Sequence, residues 1–182
     1  MARAIAATLG LGLLGLLATT SHAAPPTPLT CGAAPTRPAR SITTVDWCTL
    51  DGVAWKGSLV DGRSSVHLYR DLGKPHDTIS TRIVSVDYAD LDGDRRPEAF
   101  VVIERATWIA DRAEPSVGTD VAVYAWRRGA AVRLAELPAG TPITDLTIRR
   151  GVVTMVSGPD GAPTQHRWSR RTRAFTALPP PR

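Results

Sequence analysis

The chain lacks the local signatures of most covalent chemistry. Its 182 residues contain no Gly-x-Ser-x-Gly nucleophile elbow, no phosphate-cradling Walker loop, no dinucleotide fingerprint and no His-Glu-x-x-His zinc pair. There are only two cysteines and no Cys-x-x-Cys, which argues against a thiol redox centre or a cysteine-based metal site. Beyond the N-terminal segment the histidines are His67, His76 and His166, with no zinc-type spacing among them. No nucleic-acid reader motif is present, and no amphipathic helix follows the first segment. The longest apolar stretch, which ends near Ala18, is shorter than the ~20 residues that cross a bilayer.

That first stretch has a different use. Met1-Ala2-Arg3, the Ala/Leu/Gly-rich run and the small residues of Ser21-His22-Ala23 follow the charged, hydrophobic and cleavage regions of a secretory signal peptide, residues 1–23. Cleavage near Ala23 and a secreted or periplasmic location are the expectation. Export gives the cysteines a role, because an even count in an oxidising compartment favours a Cys31–Cys48 disulfide. Residues 24–40 are rich in proline and read as an extended arm. Residues 41–177 are the size of one domain, and 178–182 read as a disordered proline-rich tail.

The domain reads as all-β. Runs at 42–48, 54–60, 65–70, 81–87, 99–106, 121–126, 132–137, 143–148, 152–157, 165–168 and 173–175 carry β-branched or aromatic residues. Turn signals separate them at Asp51-Gly52, Asp61-Gly62, Gly129, Gly140, Gly151 and Gly161. This spacing predicts a single antiparallel meander that folds as a small β-sandwich or as packed blade-like sheets, resembling part of a propeller. Trp47, Trp55, Trp126 and Trp168 fall in these runs and are assigned to the core.

One stretch stands out chemically: Asp90-Leu91-Asp92-Gly93-Asp94-Arg95-Arg96-Pro97-Glu98, between two apolar runs. Hard cations such as calcium take six to eight oxygen ligands, and alternate carboxylates in a tight loop supply them. Asp90, Asp92, Asp94 and Glu98 are the candidate side-chain ligands, and Arg96 offers its carbonyl. The same acids can also turn the backbone through Asx hydrogen bonds, and both readings stand at this point. The loop and its flanks, about 84–102, resemble the calcium loop of FG-GAP/VCBS-type repeats, which occur in exported bacterial proteins. That resemblance implies a structural calcium ion between two strands. Two departures bear on it: Arg95 stands where the family has a glycine, and Glu98 where it has an aspartate.

A second candidate is the turn-rich segment 108–120, which holds Trp108, Asp111, Glu114 and Asp120 and is the first place to look for a ligand loop. Charge is segregated: residues 24–120 sum to −3 and residues 121–182 to +7. Arg127, Arg128, Arg149, Arg150, Arg170, Arg171 and Arg173 fall at turn positions, where they would form a basic rim able to meet anionic envelope or extracellular polymers. Two functions follow. The first is an exported, non-enzymatic β-module with a structural calcium site; the alternative is a small secreted hydrolase of a glycan or anionic polymer that uses the carboxylates of the 108–120 loop.

Overall fold

The computed structural model describes residues 29, 31, 38–49, 63–68, 77–109, 113–139, 142–158 and 161–179. The expected signal peptide, the strand expected at 54–60, Trp55 and Asp111 lie outside them. Among the described residues nine strands occur in order: β1 (Arg63–Leu68), β2 (Asp77–Ala89), β3 (Glu98–Trp108), β4 (Ser116–Arg127), β5 (Ala130–Pro138), β6 (Ile143–Arg149), β7 (Val152–Ser157), β8 (Thr164–Ser169) and β9 (Ala174–Leu178). Strands β1 to β5 form one antiparallel meander and β6 to β9 a second, each in simple chain order. Among the described residues there is no α-helix, so the all-β reading holds.

Alternation along the central strands explains the layering. Side chains of successive residues leave opposite faces of a strand, so Phe100 and Val102 point one way while Ala99, Val101 and Ile103 point the other. Both sets are buried. Phe100, Val102, Val121, Val123 and Leu137 meet Leu146, Val153 and Met155 of the second sheet, which makes the inter-sheet core. Ala99, Val101, Ile103, Ala122 and Tyr124 are covered instead by Ile42 and Trp47 from the N-terminal segment.

That segment departs from the expected strand at 42–48. It forms two short 3-10 turns, Ile42–Thr44 and Trp47–Thr49. The Thr44 hydroxyl and the Asp46 carboxylate accept local N–H groups of Arg40, Ser41 and Cys48, and such side-chain bonds compete with a ladder. Trp47 is nevertheless core, as expected, at 4% exposure. The arm before it is tied down: the Leu29 N–H donates to the Val84 carbonyl, and Cys31 and Cys48 form the expected disulfide. At the other end, Leu178 pairs with Gln165 inside β9, so the strand runs one residue into the segment expected to be a tail.

Two hairpin tips fall at the expected glycines, Gly129 and Gly151. Arg128 and Gly129 both have positive φ, 52° and 82°, as do Arg150 and Gly151, 49° and 76°. Left-handed pairs suit two-residue hairpins, but their first position favours asparagine or glycine. An L-residue there costs roughly 1 kcal/mol. Arg128→Asn is therefore expected to raise stability by about 0.5 kcal/mol, read as a higher urea midpoint. A lower midpoint would show that the arginine side chain outweighs its backbone penalty.

Candidate cation site

The acidic loop joins β2 to β3 and is held at the junction of the two sheets. Its second residue, Leu91, is 3% exposed and inserts into the inter-sheet core. The Leu91 N–H donates to Glu98 Oε2 at 2.8 Å. An apolar plug and a buried carboxylate thus fix the loop at both ends. Gly151, at the tip between β6 and β7, sits so close that an added Cβ would lie 3.2 Å from the Leu91 carbonyl oxygen.

Within the loop, Asp90 does most of the local work. Its Oδ1 accepts from the N–H groups of Gly93 and Asp94, and its Oδ2 accepts from Arg95 at 2.9 Å. Asp92 Oδ1 accepts from Asp94, and Asp94 Oδ1 accepts from Arg96 at 2.8 Å. The Asx reading is therefore correct, yet it does not exclude the other. A carboxylate offers about four lone-pair positions, and Asp92 and Asp94 each use one of their two oxygens for these backbone bonds. One carboxylate oxygen from each of Asp90, Asp92 and Asp94 lies within 4.8 Å of the others, close enough to share a metal ion. The donor set is all oxygen, which suits a hard divalent cation.

The remaining expected ligands meet the group differently. Arg96 reaches it through its N–H, and Glu98 through its tie to Leu91. Arg95 takes φ = 68°, the left-handed conformation that the resembled family's glycine would adopt freely. Glu98 is 6% exposed, and burial, reinforced by the charges of Asp92, Asp94 and Asp90 against the opposing Leu91 bond, holds its carboxyl above the ordinary value. A raised folded value means that Glu98 contributes stability below its unfolded pKa and loses it as pH rises through the folded one. In EGTA, Glu98→Gln is expected to lack this decline between mildly acidic and neutral pH, measured as urea midpoints. An unchanged pH profile would show that the loop's other carboxylates carry the dependence.

The 108–120 candidate looks different in space. Trp108 ends β3 and is 47% exposed, while 116–120 belong to β4, so the connection is shorter than expected. Strand pairing of Thr107 with Ser116 and of Ile103 with Asp120 takes both ends of the expected loop into the sheet. Asp120 forms an ion pair with Arg105, which also meets Glu136 at 3.3 Å. Glu114 is exposed in the remaining bend. Among the described residues, Trp108, Glu114 and Asp120 join neither the acidic group nor the cleft beside it.

What sequence reasoning missed is the wall opposite that loop. A cleft of about 360 Å³ is lined by Asp90, Leu91, Asp92, Gly93, Arg150, Gly151, Trp168 and Arg170. Trp168 joins the core expected for it, against Phe175 with ring centroids 5.0 Å apart, but it also faces this cleft. Arg170 Nη2 stands 3.5 Å from Asp92 Oδ1. The one signal in the sequence was Leu91, an apolar residue between two aspartates that must be buried somewhere. The chain was compared with protein-family models, curated proteins and solved structures, and nothing matched.

Proposed function

We propose that the chain is an exported, non-enzymatic β-module whose acidic loop takes one calcium ion in a structural role. The observation that carries this reading is the convergence of the Asp90, Asp92 and Asp94 carboxylates on a loop clamped by Leu91 and Glu98. Asp90, Asp92 and Asp94 would hold the ion, with the Arg96 carbonyl as a further ligand and Glu98 as the one the FG-GAP/VCBS resemblance implies. Bound there, calcium would neutralise three crowded carboxylates and cross-link the β2–β3 turn. Export is supported by the N-terminal sequence and by the Cys31–Cys48 disulfide, which belongs in an oxidising compartment. Among the described residues no helix is long and apolar enough to cross a membrane. Among the described residues no observation favours the hydrolase alternative: Asp120 is engaged by Arg105 and Glu114 is exposed.

Calorimetric titration with calcium tests the proposal. One site per chain is expected, with Asp92→Asn weakening it at least about tenfold through loss of a charged oxygen ligand. Equal calcium binding by the variant would place the ion elsewhere.

A further inference from the structure

We infer that the cleft beside the acidic loop is a cation-gated site for a carboxylate-bearing sugar. The inference deepens the calcium reading and rests on it. Its first support is charge. The cleft's lining carries two carboxylates, Asp90 and Asp92, and two guanidinium groups, Arg150 and Arg170, so the four cancel. A divalent ion held by Asp90, Asp92 and the neighbouring Asp94 leaves a surplus of one positive charge at this concave site, which attracts an anion.

The second support is the state of the arginines. Arg170 rests against Asp92 at 3.5 Å with its side chain 59% exposed, a weak contact that a cation on Asp92 displaces. Arg150 has no carboxylate partner among the described residues, and it holds a left-handed φ of 49° that asparagine or glycine would hold with less strain. Arg150 lines the cleft, and its planar fork is the group that matches a carboxylate.

The third support is Trp168. An indole on the wall gives an apolar surface of the kind on which the C–H face of a sugar ring packs, and the cleft's volume suits a ligand of one or two rings. Inorganic phosphate would satisfy the arginines but leave the indole unused. A sugar carboxylate satisfies all three elements: its oxygens meet the loop cation and the arginines, and its ring meets Trp168. Gly93 and Gly151 keep the walls close, since a Cβ at Gly93 would lie 3.3 Å from Arg170 Nη2.

The test uses the purified protein and trigalacturonate, with maltotriose and inorganic phosphate as controls, titrated by calorimetry in millimolar calcium and in EGTA. Calcium is titrated alone first, so that failure of the cation reading is seen separately. The expected result is trigalacturonate binding in calcium that weakens about tenfold or more in EGTA, and by a similar factor in Arg150→Asn and in Arg170→Gln. Asparagine suits the left-handed turn, so Arg150→Asn keeps the fold. Four results would each overturn the inference: no trigalacturonate binding although calcium binds, affinity that is equal in EGTA, affinity unchanged in both arginine variants, or equal binding of maltotriose or phosphate.

Discussion

Saturating calcium is expected to raise the melting temperature of this protein by roughly 8 °C over the value in EGTA. A ligand that binds only the folded state at a hundred times its Kd adds about 2.7 kcal/mol, and each kcal/mol is worth about 3 °C in a domain of this size. Asp92→Asn is the informative variant. Its amide oxygen can still accept the Asp94 N–H, so the turn survives, while the charged ligand is lost. With binding weakened at least about tenfold, the variant should keep at most about half of the calcium-dependent rise. Asp90→Ala behaves differently because the Asp90 carboxylate accepts three backbone N–H groups. Its loss should cost about 2–3 kcal/mol even without calcium, since the freed groups lie in a tight loop. A melting temperature indifferent to calcium and magnesium alike would leave the three carboxylates as turn-formers alone.

The other large effect lies on the opposite face of the first sheet. Trp47→Ala should destabilise the protein by about 3–5 kcal/mol, the range for truncating a buried large aromatic. Trp47 packs edge-on against Tyr124, with centroids 5.3 Å apart, and its indole N–H donates to the Tyr88 hydroxyl at 2.8 Å. Without the indole, the Ala99–Val101–Ile103 face loses much of its cover. Reduction of the Cys31–Cys48 bridge acts on the same segment. The sequence separation of 17 corresponds to about 3 kcal/mol of restricted unfolded-chain entropy. The two perturbations should add to less than their sum, because each loosens what the other holds. Urea midpoints of wild type, Trp47→Ala, reduced wild type and the reduced variant measure this directly. A midpoint unmoved by reduction would show that packing by Ile42 and Trp47 holds the segment unaided.

Several features were legible from local pattern. The continuous apolar runs at 99–103 and 121–124 foretold strands, and the glycines at 129 and 151 foretold hairpin tips. The spacing of Asp90, Asp92 and Asp94 foretold carboxylates that converge, because a loop of this length cannot keep them apart. The 42–48 run was misread because β-branched residues favour extended chain only until side chains such as Thr44 and Asp46 offer local hydrogen-bond partners. In the 108–120 stretch Pro115 and Gly118 are turn residues, yet pairing of β3 with β4 brings its second half into the sheet.

By itself, the sequence determined the all-β class, the disulfide partners and the cluster of three aspartates, because each depends on neighbours close along the chain or on the only available cysteine pair. Tertiary structure alone decided that Leu91 enters the inter-sheet core, that Gly151 meets its carbonyl, and that Arg150, Trp168 and Arg170 face Asp90 and Asp92 across a cleft. Those residues are some 60 to 80 positions apart, and no local periodicity encodes which edge of one sheet will lie against the other. Burial of apolar side chains between the two sheets sets that placement, and the charged residues at the junction are carried into contact with it.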